Sequence, residues 1–287
     1  MSIAGAIAFI ILAPVAGAIL AGIDRKLTAR VQRRVGPPIL QPFYDVMKLF
    51  AKQGFAVNRF QGYYAFCFLL FTAIAGAIFF SGGDILLTIF VLTTGAIFLV
   101  LGAYAPDSPY SNIGAERELL QMMAYEPALL IAAMCFYLAT GSFQSAEIAS
   151  WHREPILYLV PGAFLGFLFV LTIKLRKSPF DLSTSHHAHQ ELVKGLTTEF
   201  SGPTLALVEI AHWYENILLI GFVYLFFAGF SPSIAIIGTA LVYLIEIFVD
   251  NLYARLTWQI TVKSSWMIAG ALAAVNLLVL GAMRGMP

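Results

Sequence analysis

Apolar residues run along this chain in stretches of about twenty, separated by polar segments of very unequal length. Eight runs stand out: 3–23, 60–81, 84–104, 119–141, 155–175, 204–229, 233–250 and 265–283. As helices rising about 1.5 Å per residue, such runs cross a ~30 Å hydrocarbon layer. They predict an all-α polytopic membrane protein with eight transmembrane helices, its N-terminus outside and long cytoplasmic loops. Residues 1–287 read as a single integral membrane domain. Ser81-Gly82-Gly83 and Phe230-Ser231-Pro232 predict tight outer turns. Trp151, Trp258 and Trp266 sit at span ends, where amphipathic rings favour the interface. Gly162 and Gly166 form a GxxxG pair, a signal for close helix contact. Pro14 and Pro161 read as packing kinks. Pro127 follows Glu126 directly and leaves the Met123 carbonyl free, which predicts a kink with local water.

The first polar segment carries an element of its own. Between Pro42 and Lys52, Phe43, Val46, Met47 and Phe50 form an apolar stripe at helical spacing, with Asp45, Lys48 and Lys52 off it. This predicts an amphipathic helix on the membrane surface or against a partner.

Composition agrees with the spans: 60% of residues are hydrophobic and only 11% charged, against about 25% charged in soluble domains. The net charge of +1 decides little; its placement decides the orientation. Of the seventeen Lys and Arg residues, all but Arg153 and Arg284 fall on the side of segments 24–59, 105–118, 176–203 and 251–264, with Lys174 at the inner end of span five. That bias puts these loops in the cytoplasm, in the plasma membrane of a prokaryote. Asp24, Arg25 and Lys26 follow the first apolar run rather than precede it, which describes a retained helix and not a signal peptide. Segments 24–59 and 176–203 are too long for simple connections and read as docking loops. The lipid bilayer is the expected surroundings, with no nucleic-acid partner.

Carboxylates inside apolar runs are costly, roughly 2.5–3.5 kcal/mol each near a bilayer centre. Span six holds Glu209, His212 and Glu215; span four holds Glu126; span seven holds Glu246 and Asp250; Glu116 and Glu118 precede span four. All reach inward from the cytoplasmic side, which predicts a hydrated acidic path to the midplane. Glu209 and His212, three apart, share a helix face. Asp250 reads as an interface residue snorkelling toward a base. His186, His187 and His189 in the third inner loop lack a metal-binding spacing, and proton transfer or hydrogen bonding at a subunit interface fits them better. Cys67 and Cys135 lie inside apolar runs as small hydrophobes. With no CxxC or Cys/His cluster, the chain is expected to bind no cofactor or metal and to hold no redox centre of its own.

Several motifs in order carry a family resemblance: Gln32-x-Arg34-x-Gly36-Pro37, Gln41-Pro42-x-x-Asp45-x-x-Lys48-Leu49, Gln121 to Glu126, Ser178-Pro179-Phe180-Asp181-Leu182, and Glu191-Leu192-Val193-x-Gly195 leading to Glu199-Phe200-Ser201-Gly202. Over nearly its whole length the chain resembles the NADH dehydrogenase subunit 1 family of respiratory complex I and its relatives in membrane-bound [NiFe] hydrogenases. The resemblance implies a non-catalytic subunit of an oxidoreductase complex, joining a peripheral electron-transfer arm to antiporter-like membrane subunits. It implies an ion pathway through Glu116, Glu118, Glu126, Glu191, Glu199, Glu209, His212, Glu215 and Glu246. It also implies an arm interface at Gln32, Arg34, Gly36, Pro37, Asp45, Lys48, Asp181, His186, His187 and His189.

Departures from the pattern point to a branch. Where complex I has two more carboxylates before Glu191-Leu192-Val193, this chain has His187 and His189, and its Gly114–Leu120 stretch resembles energy-converting hydrogenases. The family's span-six glutamate falls near His212, with Glu209 and Glu215 one turn either side. The expected partners are therefore hydrogenase large and small subunits carrying a Ni–Fe centre and iron–sulfur clusters, a ferredoxin-like iron–sulfur subunit and an antiporter-like membrane subunit. The alternatives are a quinone-site subunit of complex I and a stand-alone secondary transporter.

Overall fold

The computed structural model describes residues 2–54, 58–180, 183 and 194–284. Twelve helices follow in order: α1 Ile3–Val31, α2 Gln41–Ala51, α3 Gln61–Phe80, α4 Ile85–Tyr104, α5 Pro109–Thr140, α6 Ser145–Ala149, α7 Ile156–Leu159, α8 Pro161–Lys174, α9 Pro203–Phe226, α10 Pro232–Leu252, α11 Trp258–Ser264 and α12 Ala271–Met283. A π-helical turn, Ser265–Gly270, joins α11 to α12 into one long rod. Among the described residues, seven helices are long and apolar enough to cross a membrane, counting Trp258–Met283 as one, and Pro161–Lys174 is a shorter apolar helix. Two isolated bridges, Asp84 with Gln144 and Ala228 with Phe230, are the β pairing among them. The protein is an all-α polytopic membrane protein.

Two spans are longer than their apolar runs. α1 continues two turns past residue 23, because its polar residues find partners on other helices: Asp24 meets Lys177, Arg25 meets Asp45, and Asn251 donates to the Thr28 hydroxyl. α5 starts at Pro109, a residue suited to the first helical turn. Glu116 and Glu118, expected in a loop, therefore lie on a helix.

Prolines punctuate the membrane helices, and other helices repair what they break. Pro14 frees the Ile10 carbonyl, which accepts a 2.7 Å hydrogen bond from the Tyr214 hydroxyl. Pro127 frees the Met123 carbonyl, which accepts the Trp266 indole N–H at 3.2 Å, and Ser265 donates to the next carbonyl, Ala124. A side chain thus stands where the sequence suggested water. Pro161 does more than kink its span. It splits the span into α7 and α8, since the residue before a proline is pushed out of the helical region and Val160 sits at φ −124°. The buried Asn276 side chain bridges this break, accepting from Ala163 N–H and donating to the Leu159 carbonyl.

The GxxxG pair makes the close contact expected of it. A Cβ on Gly162 or Gly166 would come within 2.6 and 2.8 Å of the Leu272 and Ala269 carbonyl oxygens, so α8 lies directly against the last rod. α3, α4, α5, α8 and α9 enclose the main core, where Phe136, Phe167 and Phe226 stack with centroids 4.6 and 5.2 Å apart.

α2 has three faces rather than two. Phe43 and Val46 turn inward against Trp213 of α9, with the Phe43 and Trp213 rings 5.7 Å apart. Tyr44, Met47 and Phe50 are exposed on the outward apolar side. Gln41, Asp45 and Lys48 share a polar edge. The single stripe read from the sequence is thus divided, half packed on the bundle and half left for lipid or a partner.

Candidate functional site

The chemistry gathers where α8 ends and α9 passes the middle of the bundle. Glu215 lies twelve residues into α9, about 18 Å along its axis from Pro203. It is buried, and its carboxylate has two partners: Lys174 Nζ donates to Oε1 at 2.7 Å, and His212 Nδ1 lies 3.3 Å from Oε2. That spacing places the imidazole proton on Nδ1, since a carboxylate only accepts. The Lys174 ammonium also sits 4.4 Å from the Tyr125 ring centroid, over an aromatic face on α5. The Phe68 ring packs edge-on against His212 at 5.4 Å.

Lys174 is the last residue of α8, and the turn after it carries two more bases. Arg176, at φ +54°, reaches Glu118 on α5 at 3.4 Å. Lys177, almost fully buried, pairs with Asp24 of α1 and stands 3.5 Å from Asp250 of α10. The other Asp250 oxygen accepts the Ser178 N–H at 2.8 Å. Four consecutive residues therefore send three cations to carboxylates on four different helices. Glu118 also accepts from the Ser183 hydroxyl, and Gln121, next to it on the same face, donates to the Phe180 carbonyl at 2.8 Å.

A cavity of about 580 Å³ opens beside this turn, lined by Asp24, Arg25, Thr28, Lys174, Arg176, Lys177, Lys194, Glu209, His212, Asn216, Tyr243, Asp250 and Arg255 among others. It follows α9 as far as Asn216, roughly 20 Å from the helix start. Such a polar chamber is the hydrated path that the sequence predicted. Glu209 and His212 do share its wall. Glu215 does not line it: Lys174 and His212, the two residues that touch Glu215, stand between it and the cavity.

The remaining predicted acids are dispersed. Glu126 is half-buried on α5 and its Oε1 has no hydrogen-bond partner; the same holds for Oε2 of the buried Glu246. Glu116 is exposed, and Glu199 is half-buried before α9. In the first inner segment, Arg34 donates to Gln32, and Gln32 to Asn251 of α10 at 3.1 Å. Gly36 takes φ +76°, where a Cβ would strike Ala29, and Pro37 follows it. Asp45 accepts from Gln41 and Arg25, both at 2.8 Å, while Lys48 is exposed. Burial opposes the Asp45 charge, but these hydrogen bonds prevail and hold its carboxyl below the usual value. Asp181, His186, His187, His189 and Glu191 lie outside the described residues.

Sequence reasoning missed the partners. Lys174 counted only toward orientation, and Asp250 read as an interface residue; the structure makes both members of buried networks. Tyr125 carried no signal beyond its place in the Gln121–Glu126 motif. An ammonium inside an apolar run, on the helix facing Glu215, was the available clue.

The NADH dehydrogenase family pattern matches residues 4–281. Hydrogenase-4 component C of Escherichia coli K12 is 30% identical over 247 residues, covering 80% of this chain and 75% of that protein. A membrane component of the NADH-quinone oxidoreductase of Syntrophobacter fumaroxidans is 29% identical, covering 92% and 90%. Among solved structures, a chain of the membrane-bound sulfane sulfur reductase, an archaeal respiratory membrane complex, superposes with a TM-score of 0.86 at 27% identity, covering 96% of this chain and 98% of that one.

Proposed function

The chain belongs to the NADH dehydrogenase subunit 1 family, whose members compared above are membrane subunits of respiratory complexes, and from that premise we propose that it anchors a peripheral electron-transfer arm and carries ions toward the membrane midplane. The supporting observation is the buried Lys174–Glu215–His212 cluster beside a polar cavity that runs about 20 Å along α9. A charged group at that depth marks an ion pathway more often than a structural contact. The arm is a [NiFe] hydrogenase served by a ferredoxin-like iron–sulfur subunit, with its Ni–Fe centre and clusters in the partner subunits and an antiporter-like subunit alongside. Segments 24–59 and 176–203 dock that arm from the cytoplasm, and the positive-inside bias sets the orientation in a prokaryotic plasma membrane.

A second reading, a quinone-reducing assembly, draws support from the quinone oxidoreductase relative, which aligns over more of this chain (92%) than the hydrogenase component does (80%). One experiment separates them: gentle detergent purification of the tagged chain, with mass spectrometry of the complex, metal analysis and turnover assays. Nickel with hydrogen evolution from reduced ferredoxin is the expected result. Quinone reduction by an NADH-oxidising, flavin-containing assembly supports the second reading. Reduction of sulfane sulfur without nickel replaces the hydrogenase arm but keeps the coupling role. A chain that purifies alone and transports a small molecule in liposomes overturns the whole proposal.

A further inference from the structure

Lys174 and Glu215 form a buried pair with an odd placement. Replacing such pairs by apolar residues is often neutral or stabilising, so stability alone does not account for one. The other two bases of the same turn hold the bundle together, and neither has a second resting place. Lys174 does: its ammonium already lies over the Tyr125 ring, and Glu118 sits on the same face of α5, seven residues earlier. Lys174 also lines the cavity while Glu215 lies behind it.

We propose that Lys174 is the gate of the ion path: its ammonium occupies a cation position on Glu215, and its withdrawal along Tyr125 opens that position to a monovalent cation from the cavity, a proton or Na⁺. This rests on the ion-carrying role proposed above and names its control point. The turn Leu175–Lys177 supplies the lever. It ties Lys174 to Arg176–Glu118 and to Lys177 with Asp24 and Asp250, so displacement of the chain beyond Ser178 pulls on Lys174. When the ammonium leaves, Glu215 keeps His212 as its neighbour and faces Glu209 across the cavity wall. An incoming cation restores the charge balance that Lys174 had supplied. The groups facing this exchange are Tyr125 and Glu118 from α5, Glu209 and His212 from α9, Asp24 and Arg25 from α1, and Asp250 and Tyr243 from α10.

The test uses the intact complex in proteoliposomes, reading ions moved per electron transferred. Dye-reported lumen acidification and ²²Na⁺ uptake run in parallel and tell proton from sodium. Lys174→Arg keeps the charge but grips a carboxylate with a rigid fork that releases less readily. The expected result is a fall of about tenfold in ions per electron, a one-decade shift toward the clamped state. The double variant Lys174→Met/Glu215→Leu removes the pair without leaving a lone charge, so it assembles where a single variant fails to. It is expected to transfer electrons without moving ions. Wild-type ion-to-electron ratios in either variant overturn the gate and leave the coupling role standing. A wild-type complex that moves neither ion defeats the coupling role itself, and the gate with it.

Discussion

At the end of the bundle that carries the 81–84 and 140–156 turns, polar side chains meet mostly backbone. Asp84 caps α4 by accepting from Leu86 and Leu87 N–H at 2.7 and 3.1 Å, Ser145 donates to the Phe79 carbonyl, and Arg284 donates to the Ala139 carbonyl. At the opposite end, side chains meet side chains of opposite charge. Arg25–Asp45, Lys177 with Asp24 and Asp250, Arg176–Glu118 and Lys174–Glu215 tie α1, α2, α5, α8, α9 and α10 together. A capped backbone group has one partner for the life of the fold. Ammonium and carboxylate groups beside a polar cavity can exchange partners at small net cost, because each leaves one charge for another. The first end is built to hold the helices, and the second to let charge rearrange between them.

The largest break in this contrast is Lys174→Met. It leaves Glu215 buried without its cation and is expected to cost about 3–5 kcal/mol, read as a lower unfolding midpoint in mixed micelles. Adding Glu215→Leu should restore most of the loss, and a double variant as unstable as the single one would show that the pair is not the source. Next is Gly166→Val. The new side chain drives into the Ala269 carbonyl, separating α8 from the last rod at a cost of about 1–3 kcal/mol; Gly166→Ala should cost less in the same assay.

Asp84→Ala removes a helix cap at the holding end. It is expected to lower stability by about 1 kcal/mol while leaving ions moved per electron unchanged, whereas a coupling defect would erase the distinction between the two ends. The smallest effect is at Asp45. Its carboxyl is held below its ordinary value of 3.8, so its contribution is full above that value and fades as pH falls through the lower folded value. Both partners of the Arg25–Asp45 pair are more than a third exposed, so solvent screening limits the effect to a few tenths of a kcal/mol. Trp213 fluorescence reports it, because Phe43 of α2 packs on that ring: the signal should be flat from about pH 7 to 5 and change only in stronger acid. Asp45→Asn should show the acid-form signal at neutral pH.

The spans, their order, the close contact at Gly162 and Gly166 and the depth of Glu215 could all be read from the chain. Each follows from a local rule: lipid demands continuous apolar stretches, small residues admit a neighbouring backbone, and a helix advances a fixed distance per residue. The repair of the prolines could not be read this way. Tyr214, Trp266 and Asn276 are polar residues in apolar runs, and only packing shows which freed carbonyl or broken turn each one serves. Nor could the pairing of charges. Lys174 and Glu215 are 41 residues apart, Lys177 and Asp24 are 153 apart, and Ser178 and Asp250 are 72 apart; many bases and acids share the same membrane depth, and sequence distance does not rank them. The sequence by itself determined a membrane bundle with acids reaching inward from one side, because burial in lipid acts residue by residue. The tertiary structure alone decided which cation faces which carboxylate, because that depends on how the helices rotate and cross, and so it placed Lys174 between the cavity and Glu215.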